Sequence, residues 1–285
     1  MSIDLLRKPR PSERRTPEQL WEQYQVEKAL ATKLREASRA DRGAMYATVY
    51  EELFRRIPYH PQLTRKESPP EQAARIAAQL SLLRPYLTKQ TRFLEIGAGD
   101  CALSLALTSR VAHVYALDVS AEITRSKVVP PNFDLILSDG TSIDVPPGSI
   151  TVAYSNQLME HLHPDDALLQ LSNIYQALAP GGVYICITPN RLTGPHDISA
   201  YFDTVATGFH LKEYTSSELI PLFRRVGFRS VHQYFRRRQT YLRMPSVLTR
   251  SLESVVEHLG PSMRRRVPQS KLLRSLLIIC LVARK

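Results

Sequence analysis

One short segment constrains the fold of this chain more than any other: an apolar run followed by closely spaced glycines. Phe93 to Ile96 is typical of a buried strand, and Gly97 and Gly99 follow it directly, before an apolar stretch that begins at Ala102. A strand, a glycine turn and a helix in that order form the first unit of many nucleotide-binding parallel sheets. Glycine has no Cβ, so the backbone can turn tightly there and approach a ligand. The segment predicts an α/β fold with a nucleoside-binding crevice.

Two carboxylates are placed to contact such a nucleoside. Asp118 ends the next predicted strand and can accept two hydrogen bonds from a ribose diol. Glu95 adds an anion beside the glycine turn, which favours a cationic amine or sulfonium over a pyrophosphate. The glycine pattern alone also fits a dinucleotide fingerprint, so an oxidoreductase that uses a nicotinamide cofactor is an alternative.

Two further predicted strands also run into polar residues. They span Phe133 to Leu137 and Ile150 to Tyr154. The polar or glycine residues that follow them are Asp139, Gly140, Asn156, Gln157, Glu160 and His161. Because the carboxyl ends of parallel strands meet at one edge of a sheet, these residues are expected to border the same crevice.

With these motifs in this order, the chain resembles the class I S-adenosylmethionine-dependent methyltransferases, in particular the small-molecule and glycan-type group. The resemblance covers roughly residues 90 to 235 and the closing strand. It implies an α/β fold with a Rossmann-like, mostly parallel sheet of seven strands in the order 3-2-1-4-5-7-6, helices on both faces, and S-adenosylmethionine as cofactor. The cofactor-binding residues that it implies are Glu95, Gly97, Ala98, Gly99, Asp118, Val119, Asp139, Gly140, Asn156 and Gln157. Cys101 stands where many members have a further glycine.

The remaining chain is predicted to add helices at both ends of this unit. Residues 1–67 are expected to form an N-terminal helical extension and residues 68–285 the methyltransferase domain, with a basic amphipathic insertion at 239–271. Capping boxes that begin at Thr16 and Ser68 predict two helix starts. Further predicted elements are helices at 44–56 and 165–178, strands at 183–187, 228–235 and 276–283, and a long loop at 188–212 that closes over the site. Tyr46, Tyr50 and Tyr59 could border a substrate pocket.

The positive charge is concentrated at the C-terminal end. Residues 224–285 carry 15 Lys+Arg against 2 Asp+Glu, whereas residues 1–223 carry 23 against 25. Between the clusters Arg236–Arg238 and Arg264–Arg266, an apolar helical stripe is predicted from Val247, Leu248, Leu252, Val255, Val256 and Leu259. This region predicts either contact with an anionic membrane surface or polyanion, or a solvated face on a helix that packs over the core.

Methyl transfer to a weakly acidic nucleophile needs a group that removes a proton. Imidazole titrates near neutral pH, and the candidates are His161, His163, His196 and His210. His161 and His210 are the preferred catalytic residues, although the Glu160-His161 pair could instead fix the turn after the fourth strand. No carboxylate and asparagine cluster indicates a magnesium site, and the three cysteines lack metal-ligand spacing, so metal independence is expected.

These observations predict an S-adenosylmethionine-dependent methyltransferase that acts on a small-molecule or carrier-linked acceptor such as a sugar, lipid or secondary metabolite. One alternative is a nucleic-acid methyltransferase guided by the basic region, although the chain lacks the Asn/Asp-Pro-Pro-aromatic signature after the fourth strand. Another alternative is a non-catalytic cofactor-binding scaffold. The chain has neither a signal peptide nor a run of about 18 apolar residues, so a cytoplasmic protein is expected. The basic C-terminal region adds peripheral association with a membrane as a further prediction. No obligate protein partner is expected.

Overall fold

A central sheet organises the molecule. The computed structural model describes residues 3–9, 11–65, 67–119, 130–237, 240–264 and 266–285. Within these ranges the sheet has eight strands in the order β3-β2-β1-β4-β5-β8-β6-β7. The strands are β1 Arg92–Ile96, β2 His113–Asp118, β3 Phe133–Leu137, β4 Ile150–Asn156, β5 Leu178–Thr188, β6 Ser230–Arg237, β7 Thr240–Met244 and β8 Ile279–Arg284.

Strands β1 to β5 pair in parallel, whereas β8, β6 and β7 are antiparallel to their neighbours. When β8 is counted as the predicted seventh strand and β6 as the predicted sixth, the predicted order 3-2-1-4-5-7-6 is present. The predicted count of seven strands is wrong, because the sheet has an eighth strand. The additional edge strand β7 forms a hairpin with β6, and the first described residues of the basic insertion belong to it. Arg238 lies outside the described residues.

Helices cover both faces of the sheet, as predicted. The helices are α1 Pro17–Glu36, α2 Arg39–Arg56, α3 Pro61–Thr64, α4 Pro69–Leu83, α5 Ala102–Leu107, α6 Pro164–Ala177, α7 Ser216–Val226, α8 Ser246–Glu257, α9 Pro261–Arg264 and α10 Lys271–Leu277. One core joins α1, α2, α6 and α7 to strand residues such as Leu94 and Ile96. The other joins α4 and α5 to alternate strand residues such as Phe93. Because successive side chains along a strand point to opposite faces of the sheet, each strand contributes to two separate apolar layers.

Local capping explains most of the helix starts. The predicted capping boxes are present at Thr16 and at Ser68, where Gln19 and Glu71 reach back to the backbone of the capping residue. Helix α2 begins earlier than predicted, because the Ser38 hydroxyl accepts a hydrogen bond from the Asp41 amide and so caps the chain one turn upstream.

The last strand begins later than predicted. Residues Leu276 and Leu277 lie in α10 rather than in β8. Ser270 caps this helix, and Leu277 is buried in a small apolar cluster with Val256 and Val267. In the described part of the chain, the helices are all too short or too polar to cross a lipid bilayer.

Candidate functional site

The glycine turn after β1 has the backbone geometry that its sequence predicts. Gly97 and Gly99 have φ values of 71° and 51°, in the left-handed region that favours glycine. A Cβ added to Gly99 would meet no atom within 4 Å, so this position faces open space. Cys101 also has a positive φ of 54°, which explains why glycine suits that position in related sequences.

Asp118 lies at the end of β2 and is tied directly to the glycine turn. Its Oδ2 atom accepts a hydrogen bond of 2.8 Å from the Gly99 amide. The next residue, Val119, is partly buried against the main core. The carboxylate and the exposed face of the turn therefore border the same space at the carboxyl edge of the sheet.

Glu95 is an almost fully buried carboxylate, 6% exposed, beneath the glycine turn. Burial raises its pKa to about 7, and this effect exceeds the opposing hydrogen bond from the Ser104 hydroxyl. That hydroxyl donates to Glu95 Oε2 over 2.5 Å. A ligand cation near Glu95 would favour its ionised form, whereas a ligand phosphate would oppose it.

Asp139 and Gly140 form a tight turn after β3. Asp139 Oδ1 accepts hydrogen bonds from the amides of Thr141 and Ser142. Partial burial opposes ionisation of Asp139, but these hydrogen bonds outweigh it and lower its pKa. Gly140 has a φ of 90°, and a Cβ there would lie 2.8 Å from Tyr46 Cδ2 of α2. The N-terminal extension therefore packs directly on this turn.

The end of β4 lies beside the glycine turn. Gln157 is exposed and has a φ of 56°, a strained conformation for a residue with a side chain. A Cβ added to Gly97 would lie 3.1 Å from Leu158 Cδ1, so the two loops are in contact. Asn156 ends the strand and is partly buried. The residues implied by the resemblance thus lie along the carboxyl ends of four adjacent strands, β3, β2, β1 and β4.

This edge fits a nucleoside ligand with a cationic part. Open space lies over Gly99, and the half-buried carboxylate of Asp118 accepts a hydrogen bond from the glycine turn. The carboxylate of Glu95 is buried, so its ionised form is disfavoured unless a positive charge lies nearby. Asp118 can hold ribose hydroxyls and Glu95 can face an amine or sulfonium. The donor set therefore fits the S-adenosylmethionine expected from the resemblance better than a dinucleotide.

Two imidazoles meet next to the end of β4. The rings of His161 and His210 are perpendicular, with centroids 4.8 Å apart. Burial, with the charge of His210, lowers the pKa of His161 to about 3. His161 Nδ1 lies 3.1 Å from the Phe209 carbonyl oxygen and 3.2 Å from the Tyr50 hydroxyl. With hydrogen on Nδ1 both contacts can be hydrogen bonds, because the carbonyl and the hydroxyl oxygen both accept, and Nε2 then keeps a lone pair.

His210 has an acidic partner on the same loop. Its Nδ1 atom lies 2.7 Å from Glu213 Oε1. Burial opposes protonation of His210, but the carboxylates of Glu213, Glu160 and Asp197 outweigh it and raise its pKa. Glu160 is completely buried, and burial raises its pKa to about 7. Of the two preferred catalytic residues, His210 is thus the one that holds a proton more readily.

A cavity of about 1160 Å³ opens beside these imidazoles. Its walls come from the N-terminal extension, from the long loop between β5 and α7, and from the region of α10. Polar or aromatic residues that line it include Gln23, Glu27, Tyr50, Tyr59, His60, His161, His196, Asp197, His210 and Arg274. The predictions that the long loop closes over a site and that Tyr50 and Tyr59 border a pocket agree with this geometry.

Some predicted residues have other roles, and some site residues were missed. His163 caps α6 through its ring nitrogen, and the Tyr46 hydroxyl donates to Asp166 rather than facing the cavity. Sequence reasoning overlooked Glu213, although its spacing of three residues from His210 was a usable signal. It also overlooked Glu27 and Asp197, which line the same cavity as the imidazoles and come together there only through the fold.

Comparison with known proteins gives one family model and one curated relative. A model described as a methyltransferase domain matches residues 70–233. A protein of Mycolicibacterium smegmatis named "Probable S-adenosylmethionine-dependent methyltransferase" is 29% identical over 136 residues, which are 47% of this chain and 51% of that protein. The chain therefore matches about half the length of this curated relative.

Solved structures share the fold. A SAM dependent methyltransferase from Archaeoglobus fulgidus superposes with a TM-score of 0.51 at 18% identity, covering 84% of this chain and 100% of the other. The methyltransferase crystallised with the Haloferax volcanii Trm112 methyltransferase activator gives a TM-score of 0.52 at 15% identity, covering 73% and 88%. At such identities these structures establish a common fold alone.

Proposed function

Since the chain belongs to the class I S-adenosylmethionine-dependent methyltransferases, we propose that it methylates a polyhydroxylated acceptor, such as a free or carrier-linked sugar, held in the cavity beside His161 and His210. The observation that carries this proposal is the position of the cavity, which both imidazoles line next to the end of β4.

The proposed cofactor contacts follow the edge of the sheet. S-adenosylmethionine supplies, when bound, a methyl group already activated on a sulfonium. Asp118 would hold the ribose hydroxyls, and Glu95 would face the cationic end of the cofactor. The turn of Asp139 and Gly140 would bind adenine, and Asn156 and Gln157 would lie beside the reacting end. Support comes from the order of these residues along adjacent strands and from the open space over Gly99.

The chemistry of the cavity wall favours an acceptor rich in hydroxyl groups. Gln23, Glu27, His60 and Asp197 offer hydrogen-bonding atoms on several sides. Its volume of about 1160 Å³ is somewhat larger than the range of about 300 to 1,000 Å³ that is usual for small-molecule sites, which suits an acceptor larger than one sugar ring. His161 and His210 would contact the nucleophilic hydroxyl, align it and favour loss of its proton, and good alignment alone supplies about 7 to 11 kcal/mol.

Calorimetry with S-adenosylhomocysteine tests the cofactor site. Wild-type protein should bind it, and Asp118→Ala should weaken binding by at least about tenfold, because a charged hydrogen-bond acceptor is worth about 1.5 to 3 kcal/mol. Asp134→Ala is the matched control, since this exposed aspartate lies on β3 and pairs with His113. Binding of NAD with no signal from S-adenosylhomocysteine would refute the proposal.

The acceptor is identified by incubating the protein with a radiolabelled methyl donor and fractionated cell extracts. Label should appear in a hydroxyl-rich compound and should fall by at least about 100-fold with His210→Gln, which keeps the size of the side chain but cannot take up a proton. His258→Gln, which removes an exposed imidazole on α8's C-terminal side, is the control and should label normally. Label confined to nucleic acid would favour the alternative acceptor class.

A second observation supports peripheral attachment to an anionic membrane. Val247, Leu248 and Val255 are 66%, 57% and 62% exposed on one face of α8, and we call these three residues the α8 apolar face. The predicted single stripe is divided: Val256 is buried and Leu252 packs beside it, while the α8 apolar face points away from the core. Residues 224–285 as a whole are strongly basic, although α8 itself carries one arginine and two glutamates. Because the α8 apolar face is apolar, it suits the surface of an anionic bilayer better than nucleic acid.

A further inference from the structure

Three side chains with metal-binding atoms converge at the base of the cavity. One ligand-type atom from each of Glu160, His161 and His210 lies within 4.8 Å of the other two, the only such trio in the part of the chain that the structure describes. Ligands bound to a transition-metal ion at about 2.0 to 2.2 Å lie roughly 3 to 4 Å apart, so the three groups would have to move together by less than about 1 Å.

The carboxylate of this trio has an oxygen that lacks a partner. Glu160 is 0% exposed, and its Oε2 atom accepts a 2.8 Å hydrogen bond from the Thr188 hydroxyl. Its Oε1 atom is buried and has no hydrogen-bond partner among the described residues. Since buried polar atoms are nearly always partnered, this oxygen indicates a ligand that the protein atoms alone do not provide.

Both imidazoles are oriented as metal ligands usually are. His161 Nδ1 lies 3.1 Å from the Phe209 carbonyl oxygen and 3.2 Å from the Tyr50 hydroxyl, and His210 Nδ1 lies 2.7 Å from the Glu213 carboxylate. A carbonyl or carboxylate on one ring nitrogen fixes the ring and leaves the Nε2 lone pair for an ion. Two histidines and one carboxylate form a donor set for divalent transition metals rather than for magnesium, which prefers oxygen ligands.

We propose that Glu160, His161 and His210 bind one divalent transition-metal ion, with a free coordination position that faces the cavity. Both histidines line the cavity, so an acceptor hydroxyl there could coordinate the ion. Coordination would lower the pKa of that hydroxyl, and its proton would pass to solvent water. With an ion bound, the metal would therefore take over the proton-removing role given above to the two imidazoles, whose free ring nitrogens would be occupied as ligands. This last point rests on the proposed function, because it needs the acceptor in the cavity. The proposed metal site differs from the expectation of metal independence, which rested on the lack of a carboxylate and asparagine cluster typical of a magnesium site.

The test is titration of chelator-treated, full-length protein with Zn²⁺ and with Co²⁺, followed by calorimetry and by the visible absorption of Co²⁺. We expect one ion per chain. Glu160→Gln and His210→Asn should each abolish the Co²⁺ spectrum, and Glu213→Gln should weaken binding by about 10- to 100-fold through loss of the support to His210. His258→Asn is the matched control for surface imidazoles and should bind as wild type.

Two outcomes would overturn the site: no stoichiometric ion in the wild type, or equal binding in Glu160→Gln, His210→Asn and wild type. Calorimetry with S-adenosylhomocysteine on the same variants verifies that they fold. It also separates the two proposals, because failure of the metal site leaves cofactor binding intact, whereas failure of the proposed function removes cofactor binding without affecting the ion.

Discussion

At the scale of single residues, Glu95 shows that burying a carboxylate has a cost in stability. The side chain is buried beneath the glycine turn, where an apolar residue would pack without losing hydration. Burial raises its pKa to about 7, so close to neutral pH the protein without ligand holds it partly protonated. A cationic ligand would favour the ionised form and provide the charge that the site lacks.

This carboxylate predicts a pH-dependent stability difference between wild type and Glu95→Gln. The folded-state pKa lies above the unfolded value of 4.5, so the proton stabilises the folded protein below pH 4.5 and this contribution is lost as pH rises through 7. Glu95→Gln should therefore be more stable than wild type at pH 8, by up to about 3 kcal/mol, and similar to it at pH 4. Urea denaturation of both proteins across this range measures the difference. A difference that does not vary with pH would contradict the raised pKa.

The positions of the residues at the carboxyl edge of the sheet could be predicted, because each lies in the last two positions of its strand or within three positions after it. The glycine turn, Asp118 and Asp139 lie next to apolar runs that are themselves easy to recognise. Most other residues around the imidazoles could not be found in this way. Glu27 reaches the cavity from α1, and the Phe209 carbonyl lies beside the His161 ring although the two residues are 48 positions apart, so only the fold brings these groups together. Glu213 is the exception, because it lies three residues from its partner His210.

At the scale of elements, α2 links the N-terminal extension to the predicted adenine end of the site. Arg42 and Tyr46 both donate hydrogen bonds to the buried carboxylate of Asp166 on α6, at 2.5 and 2.8 Å. The Tyr46 hydroxyl also accepts from the His163 amide. The ring of Tyr46 is thus fixed where it packs on Gly140, and the turn after β3 is shaped by a helix from a distant part of the sequence.

This packing predicts unequal effects of two glycine substitutions. Gly140→Ala and Gly148→Ala both place a side chain at positive φ, 90° and 68°, and each should lose about 1 to 2 kcal/mol from backbone strain. The new Cβ at 140 would also lie 2.8 Å from the fixed Tyr46 ring, whereas at 148 it would meet nothing within 4 Å. Gly140→Ala should therefore be less stable by a further 1 to 3 kcal/mol or so, measured by urea denaturation. Equal losses would show that α2 moves freely over the turn.

Helices with side-chain caps were predictable, and the edge hairpin was not. Capping boxes at Thr16 and Ser68 are local signals that involve four consecutive residues. Strand β7 has no such signal, because its residues belong to a basic segment whose apolar and cationic side chains also fit a helix. Its extended form depends on pairing with β6, where Arg236 faces Tyr241 and Tyr234 faces Arg243.

At the scale of the whole molecule, positive charge and exposed apolar side chains occur in the same C-terminal region. Residues 224–285 hold an excess of 13 positive charges, and the α8 apolar face belongs to the same stretch of sequence, although α8 itself carries one arginine and two glutamates. Arg265 lies outside the described residues, but its neighbour Arg264 ends α9. An exposed apolar helix face within a basic region is typical of a surface that binds reversibly to anionic bilayers.

Vesicle flotation tests this attachment. Wild-type protein should float with phosphatidylcholine vesicles that contain phosphatidylglycerol, more weakly as salt rises. The double variant Val247→Ser with Leu248→Ser should lower the affinity on the order of tenfold through loss of apolar contact. Val255→Ser and Val205→Ser form a matched pair, because both valines are 62% exposed but only the first belongs to the α8 apolar face. Equal effects of this pair, or binding independent of lipid charge, would contradict the proposal.

The residues around the large cavity come mostly from outside the stretch that matches the family model. That model covers 70–233, whereas the cavity also takes its walls from residues 7–65 and from Pro268 and Arg274. In the proposed function, selectivity for the acceptor would therefore depend largely on segments outside the matched domain, whereas the proposed contacts to the methyl donor lie inside it. Substitutions in those outer segments would then change which compound is methylated and leave most contacts to the donor in place.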